Sequence, residues 1–240
     1  MNSSPKNNLL LLFDNDCIEC RFIRRYKRFS VEVEHNGQRF WAHTNNTGSM
    51  MGLLRPGQKV FLSRAKNPNR KLLYTLEMVD IGGMWTGVNT LVPNRMLKTG
   101  WTHKQIKELQ PFYSFQSEVK KGNSRLDACV GNDQKQLWIE AKNVTLVEDE
   151  IAIFPDAVTL RGQKHLKTLI DLSQQGIDTA LFFFIQRSDA KCFAPADYID
   201  PDYARLFYQA IDAGVQIWPY QAVLSTQGIG IGTCLKVIHQ

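Results

Sequence analysis

Leu137-Trp138-Ile139-Glu140-Ala141-Lys142 is the stretch on which both fold and chemistry turn. In a strand the side chains alternate, so Ile139 and Ala141 point one way and Glu140 and Lys142 the other. One side belongs to a core, and the other carries a carboxylate beside an ammonium. Arg125 to Val130 reads as the preceding strand, with Gly131-Asn132-Asp133 as the turn between them. Pairing of this hairpin would bring Asp127 toward Glu140, on one hairpin face.

Two carboxylates held close repel, which favours the neutral form of one unless a cation sits between them. A divalent ion resolves the conflict, and Mg2+ (or Mn2+) suits one or two carboxylates completed by water and phosphate oxygens. Such an ion acidifies bound water and offsets charge on a phosphate. Lys142 would orient that water or balance the developing charge. Asp127, Glu140 and Lys142 are therefore the expected catalytic set, and Glu118 is expected to complete the metal ligands with Asp127 and Glu140. A Glu-x-Lys pair alone is more often a surface ion pair of little consequence. The partner Asp127 and the α/β surroundings lift it above that.

Downstream, a helix is expected from about Asp156 to Gln174, stopped by Gly176. Arg161, Lys164 and His165 fall within its first turns, where all three can meet phosphate. Gly162 costs about 1 kcal/mol relative to Ala in a helix, which suggests a close approach there. Leu181-Phe182-Phe183-Phe184-Ile185 is an apolar run typical of a strand covered on both faces. Asp202 to Ala213 reads as a second helix and Val215 to Trp218 as a further strand, giving an α/β domain with a mixed central sheet.

The first half has another character. Val31 to Glu34 alternates with period two, Asn36-Gly37 signals a hairpin, and Phe40 and Ala42 continue the return strand. Strands around Val60 to Leu62, Leu72 to Met78 and Met84 to Val88 follow, separated by Pro and Gly turns. Five short strands suggest a small β-barrel of the OB type. Thr102 is expected to cap a short helix ending at Leu109. The domains are read as an extension over 1–20, the barrel over 21–94 and the α/β domain over 95–240.

Charge follows this division. Residues 1–100 hold 15 Lys and Arg against 7 Asp and Glu, while residues 101–240 hold 14 against 16. A basic first half is the footprint of a surface that docks on phosphates. Arg24, Arg25, Lys27 and Arg28 interleave with Phe22, Tyr26 and Phe29, so cations can neutralise phosphates while aromatics stack bases. Asn46, Thr47 and Ser49 lie in a loop with the permissive Gly48, suited to presenting polar groups to phosphate.

Other classes are disfavoured. Five cysteines do not describe a disulfide framework. Cys17 and Cys20 have CxxC spacing but lack a second pair of zinc ligands. The run Leu9 to Phe13 is too short to span a membrane, and the acids after it do not suit a signal peptide. No helix-turn-helix is evident, and a cytoplasmic protein is expected.

Arg25-Tyr26-Lys27-Arg28-Phe29, Asn46-Thr47-Gly48-Ser49-Met50, Val88-Asn89-Thr90, Ser124-Arg125-Leu126-Asp127, Ile139-Glu140-Ala141-Lys142-Asn143-Val144 and Phe154-Pro155-Asp156-Ala157 with Arg161-Gly162-Gln163-Lys164-His165 resemble the sugar fermentation stimulation protein family. The resemblance runs from about residue 20 to 225. It implies an OB-type barrel joined to a domain like the PD-(D/E)XK nucleases, with Asp127, Glu140 and Lys142 at the nuclease positions and Glu118 as the preceding acid. Leu126 replaces the proline that this motif carries before its aspartate. The resemblance also implies a DNA-binding regulator of sugar (maltose) metabolism genes. That regulator, with a nuclease-like metal site, is the expected function; the alternative, favoured by the intact acid and lysine set, is an active Mg2+-dependent nuclease acting on DNA or RNA, with the barrel presenting substrate.

Overall fold

In a computed structural model that describes residues 9–48, 50, 52–121 and 124–238, the chain opens with strand β1 (Leu9–Leu12). It then builds β2 (Ile18–Tyr26), β3 (Ser30–His35), β4 (Gln38–His43), β5 (Lys59–Arg64), β6 (Tyr74–Ile81) and β7 (Met84–Gly87). Helix α1 (Val92–Thr102) leads to β8 (Ser114–Lys121), β9 (Ser124–Gly131), β10 (Gln136–Val144), β11 (Leu146–Glu148) and β12 (Ile151–Phe154). After α2 (Leu160–Gln174) come β13 (Asp178–Ile185), β14 (Cys192–Pro195), α3 (Pro201–Asp212), β15 (Gln216–Ser225), β16 (Gly228–Cys234) and β17 (Lys236–Val237).

Strands β2 to β6 form a closed five-stranded barrel in the order β4-β3-β2-β5-β6. Parallel pairing of His43 with Thr75 brings β6 back to β4. Phe22, Val31, Val33, Ala42, Val60, Leu62, Leu76 and Val79 fill its core. This is the expected OB architecture with one strand exchanged. Ile18–Tyr26, read as a basic stripe, is a barrel strand, and Met84–Gly87 is an outer addition beyond the closure.

Besides a smaller sheet in the order β11-β12-β14-β17, the second domain holds a seven-stranded sheet in the order β1-β16-β15-β13-β10-β9-β8. Its centre, β10-β13-β15, is parallel, and the flanking pairs are antiparallel. The apolar run of β13 needs cover on both faces, and it has it. Phe182 and Phe184 pack toward α1 with Val92 and Met96, while Leu181 and Phe183 pack toward α2 and α3 with Leu166, Leu169 and Phe207. Ile139 and Ala141 belong to the α1 side, which leaves Glu140 facing α2.

Two local expectations change. Thr102 ends α1 instead of starting a helix; Pro93 sets the start of α1, and only a short 3-10 turn (Lys107–Leu109) follows. α2 begins at Leu160 rather than near Asp156, because Thr159 caps it by accepting the Gly162 N–H. A Cβ at Gly162 would stand 3.1 Å from the Tyr203 ring, which accounts for a glycine inside that first turn.

Residues 9–20, read as part of an N-terminal extension, are not an appendage. Leu9–Leu12 is an edge strand of the second domain's sheet, paired with β16, and Ile18 to Cys20 begin the barrel. A Cβ on Gly228 would lie 2.4 Å from the Leu11 carbonyl oxygen and 3.2 Å from Leu12 Cα. Backbone is the obstacle, so the strand itself must move. Gly228→Ala is expected to cost about 1–3 kcal/mol and to speed hydrogen exchange of the Phe13 amide, which donates to the Gln227 carbonyl. Unchanged exchange at that amide would contradict the tight docking of β1.

Candidate metal and nucleic-acid site

The β9–β10 ladder ends at Ile139 opposite Ala128. Beyond it the two strands part. Asp127 fills the opening with its own side chain, Oδ2 accepting the Ala141 N–H (2.8 Å) and Oδ1 accepting Asn94 Nδ2 from α1 (2.7 Å). Asp127 and Glu140 are neighbours, as expected, but not on one hairpin face. The alternation rule stops with the ladder, and Asp127 bonds toward α1 while Glu140 faces α2.

Glu140 is 3% exposed. Its Oε1 accepts from Lys142 Nζ (2.5 Å) and also contacts His165 Nδ1, and that ring nitrogen lies 3.1 Å from Lys142 Nζ. All of this converges on one oxygen. The other, Oε2, is buried and, among the described residues, has no hydrogen-bond partner. The Tyr203 hydroxyl on α3 is likewise buried and unpartnered, and its pKa is pushed well up by burial and by the charges of Glu140 and Asp200.

The two acids respond oppositely to this setting. Burial, then the charge of Glu140, pushes the Asp127 carboxyl above its ordinary value. Burial also works against charge on Glu140, but the His165 hydrogen bond and the Lys142 charge outweigh it and hold that carboxyl below its ordinary value. A raised pKa means that the contribution of Asp127 to stability is complete at low pH and is lost as pH rises through the raised value. For Glu140 the contribution is present at higher pH and lost as pH falls through the depressed value. Asp127→Asn should therefore melt above the wild type at neutral pH in divalent-free buffer, by about 2–4 °C for a gain of about 1 kcal/mol. Asn94 can turn its amide to accept, and the gap should close toward pH 4 or so, near the ordinary Asp value. Equal melting at neutral pH would refute the assigned strain.

Glu118 is not drawn into this group. Ser117 pairs with Ala128 and Val119 with Leu126, so Glu118 lies beside Asp127 at a left-handed φ of 54°. Its exposed carboxylate stands 3.9 Å from Arg125, although it lines the same surface cleft as Asp127, Asn94 and Lys98. Among the described residues no cluster of three or more His, Cys, Asp or Glu is placed to hold a metal. Two carboxylates remain, a set that Mg2+ accepts when water and phosphate complete its shell. An unpartnered, ionised, buried oxygen is costly unless a cation meets it, so Glu140 Oε2 fits a divalent ion, whereas both Asp127 oxygens are already engaged by Asn94 and the Ala141 N–H.

Of the residues expected to touch nucleic acid, Arg161 and Lys164 are exposed on α2, while His165 is buried against Glu140. Arg25 is committed to the protein. It donates to the carbonyls of Asn46 (2.7 Å), Gly48 (2.8 Å) and Arg28 (3.0 Å), bracing the loop. Asn46 is buried, its Oδ1 accepting the Gly48 N–H, and Thr47 is exposed; Ser49 lies outside the described residues. Arg24 pairs with Glu32 (2.6 Å), and Lys27 and Arg28 are exposed. Cys17 and Cys20 are free thiols, the latter in the barrel core. Asn94 and Tyr203 were not foreseen. Both reach the site from helices distant in sequence, with no local pattern to announce them.

No helix of the described chain is long and apolar enough to cross a membrane. Residues 23–88 match the SfsA N-terminal OB domain, and residues 91–228 match the sugar fermentation stimulation protein RE domain. A sugar fermentation stimulation protein homolog of Syntrophobacter fumaroxidans is 54% identical over 98% of this chain and 90% of its own length. Another, from Maridesulfovibrio salexigens, is 55% identical over 95% of this chain and 97% of its own. The solved structure of Pyrococcus furiosus SfsA in complex with Ca2+ superposes with a TM-score of 0.89 at 26% identity, covering 96% of this chain and 99% of that one. Barrel, mixed sheet and matched residues together make this chain a member of the sugar fermentation stimulation protein family.

Proposed function

We propose that the protein binds nucleic acid, DNA foremost, and cleaves it as a divalent-cation-dependent phosphodiesterase of the PD-(D/E)XK kind. The observation that carries this reading is Glu140 Oε2, a buried carboxylate oxygen without a partner, in a group held ionised by Lys142 and His165. A scaffold has no use for such an oxygen, since burying unpaired charge costs stability. The Ca2+ bound by the Pyrococcus furiosus relative supports a divalent ion. Chemistry at neutral pH and tolerance of a sparse ligand set favour Mg2+ or Mn2+ in turnover.

Glu140 Oε2 would hold the ion, with the Asp127 carboxylate joining it on turning from Asn94 on α1; when bound the ion supplies a more acidic water and charge balance at the phosphate. Lys142 stands beside Glu140, where its ammonium can orient the water or meet negative charge developing on phosphate. His165 holds the other oxygen of Glu140, Oε1. Arg161 and Lys164, the second and fifth residues of α2, offer charge to flanking phosphates.

Incubation with DNA and RNA in Mg2+, Mn2+ or EDTA tests the reading. Cleavage is expected with either ion, none in EDTA, and loss in both Glu140→Gln and Lys142→Ala. Binding without cleavage in every ion, undiminished in both variants, would instead leave a DNA-binding regulator of sugar metabolism genes on a nuclease-like scaffold.

A further inference from the structure

The outer face of the barrel carries two cross-strand rows. Arg24, Glu32 and Trp41 are in register across β2, β3 and β4, and so are Tyr26, Ser30 and His43. Their neighbours Phe22, Val31, Val33 and Ala42 fill the core, so these rows face outward. Tyr26 is 53% exposed and Phe29 is 54% exposed. The Tyr26 and Trp41 rings meet edge to face at 5.8 Å, and Phe29 lies parallel to His43 within 5° at 6.3 Å. Ser30, between Tyr26 and His43, is the smallest side chain of its row. The Arg24 guanidinium lies 5.7 Å from the Trp41 centroid and Lys27 Nζ 5.4 Å from that of Tyr26.

Exposed aromatics scattered singly need no explanation, but a contiguous group marks a binding surface. Rings interleaved with cations suit a polymer with both flat faces and negative charge. A duplex keeps its base faces inside its own stack, so rings gain little from it. An unpaired strand offers every base face.

The patch is also tied to the metal site. His43 Nε2 bonds to Asn45 Oδ1 (2.8 Å), and Asn45 Nδ2 donates to Asn89 Oδ1 (3.0 Å). Gln186 Nε2 donates to the Asn89 carbonyl (3.2 Å) and to Asn143, the residue after Lys142 on β10. On the other side, a Cβ on Gly48 would lie 3.4 Å from Asp156 Oδ2, where the chain enters α2.

We propose that Tyr26, Phe29, Trp41 and His43 form a stacking platform for unpaired bases, and that the polymer delivered to the Glu140 site is single-stranded. This rests on the nucleic-acid reading above and names its substrate class. The test is fluorescence anisotropy in EDTA, without turnover, on labelled oligothymidylate, oligouridylate and a mixed duplex, each of about 15 units. Wild type should bind at least one single strand about tenfold or more tighter than the duplex. Tyr26→Ala with Phe29→Ala should weaken single-strand binding about 10- to 100-fold and duplex binding little, from the loss of base–aromatic stacking. Both residues are exposed, so melting should be unchanged. As a direct reading of contact, single strands should quench tryptophan fluorescence, and Trp41→Phe should remove most of that quench.

Preference between the thymidine and uridine polymers identifies the source of the strand, and either preference supports the platform. Equal duplex binding, or single-strand binding unchanged in the double variant, overturns it. If the platform fails while cleavage still depends on Glu140, the inference falls alone. If Tyr26 and Phe29 govern single-strand binding but no ion supports cleavage, the phosphodiesterase reading falls and the platform stands.

Discussion

Glu140→Gln is expected to lower divalent-dependent cleavage by about a thousandfold, the scale on which one preorganised electrostatic contact at a reacting phosphate or carbonyl acts. The substitution keeps the shape of the side chain but removes its charge, and an amide nitrogen must stand at one of the two oxygen positions. If it takes that of Oε2, it presents hydrogens to the cation; if it takes that of Oε1, it presents them to Lys142. Thermal shift supplies a reading independent of turnover. An ion present at 100 times its dissociation constant stabilises the folded state by about 2.7 kcal/mol, or about 5–11 °C for a chain of this size. That Mn2+-dependent rise should appear in the wild type and vanish in Glu140→Gln. In EDTA the variant should melt slightly lower than the wild type, because Lys142 and His165 lose the charge they stabilise. A full Mn2+ shift in the variant would place the ion elsewhere.

Asp200→Ala is expected to lower stability by about 3–4 kcal/mol, a melting change of about 6–16 °C. Asp200 is 1% exposed. Its Oδ1 accepts from the Tyr203 N–H (2.9 Å) and Gln163 Nε2 (2.9 Å), and its Oδ2 accepts from the Thr159 N–H (2.8 Å). One carboxylate thus caps α3 and ties down the residue that caps α2. Loss of an N-cap costs about 1 kcal/mol, and a buried donor left unsatisfied costs about 1–3 kcal/mol more. Negative charge also lies favourably at the start of both helices. Asp200→Asn should recover part of the loss. Melting within 2 °C or so of the wild type, followed by circular dichroism, would show that the two helix starts hold without it.

The strand Gln136–Val144 and the buried strand around Phe183 were legible because alternation and an unbroken apolar run survive in the sequence. Ile18–Tyr26 was not. Cys20 and Phe22 are core residues at period two, but a register shift between Phe22 and Arg24 breaks the period where the arginines begin. Asp127 was found, and its face was not, because hairpin alternation says nothing of where a ladder stops. His165 was read as a phosphate contact from its helical spacing with Arg161 and Lys164, but burial assigns it to Glu140. Asn94 reaches Asp127 across 33 positions of sequence, a contact no local pattern encodes.

The placement of Leu9–Leu12 in the last sheet has a topological consequence. From Leu9–Leu12 in the second domain's sheet the chain crosses into the barrel through residues 13–17 and returns through residues 88–91. The barrel is therefore an insertion, joined to its host by two covalent connections rather than one. Two connections restrict the swinging motion that a single hinge would allow. They also impose an order on synthesis. The barrel can close as soon as Ile81 has emerged, but the strand that pins its leading end must wait for Gly228–Cys234, made long after the barrel.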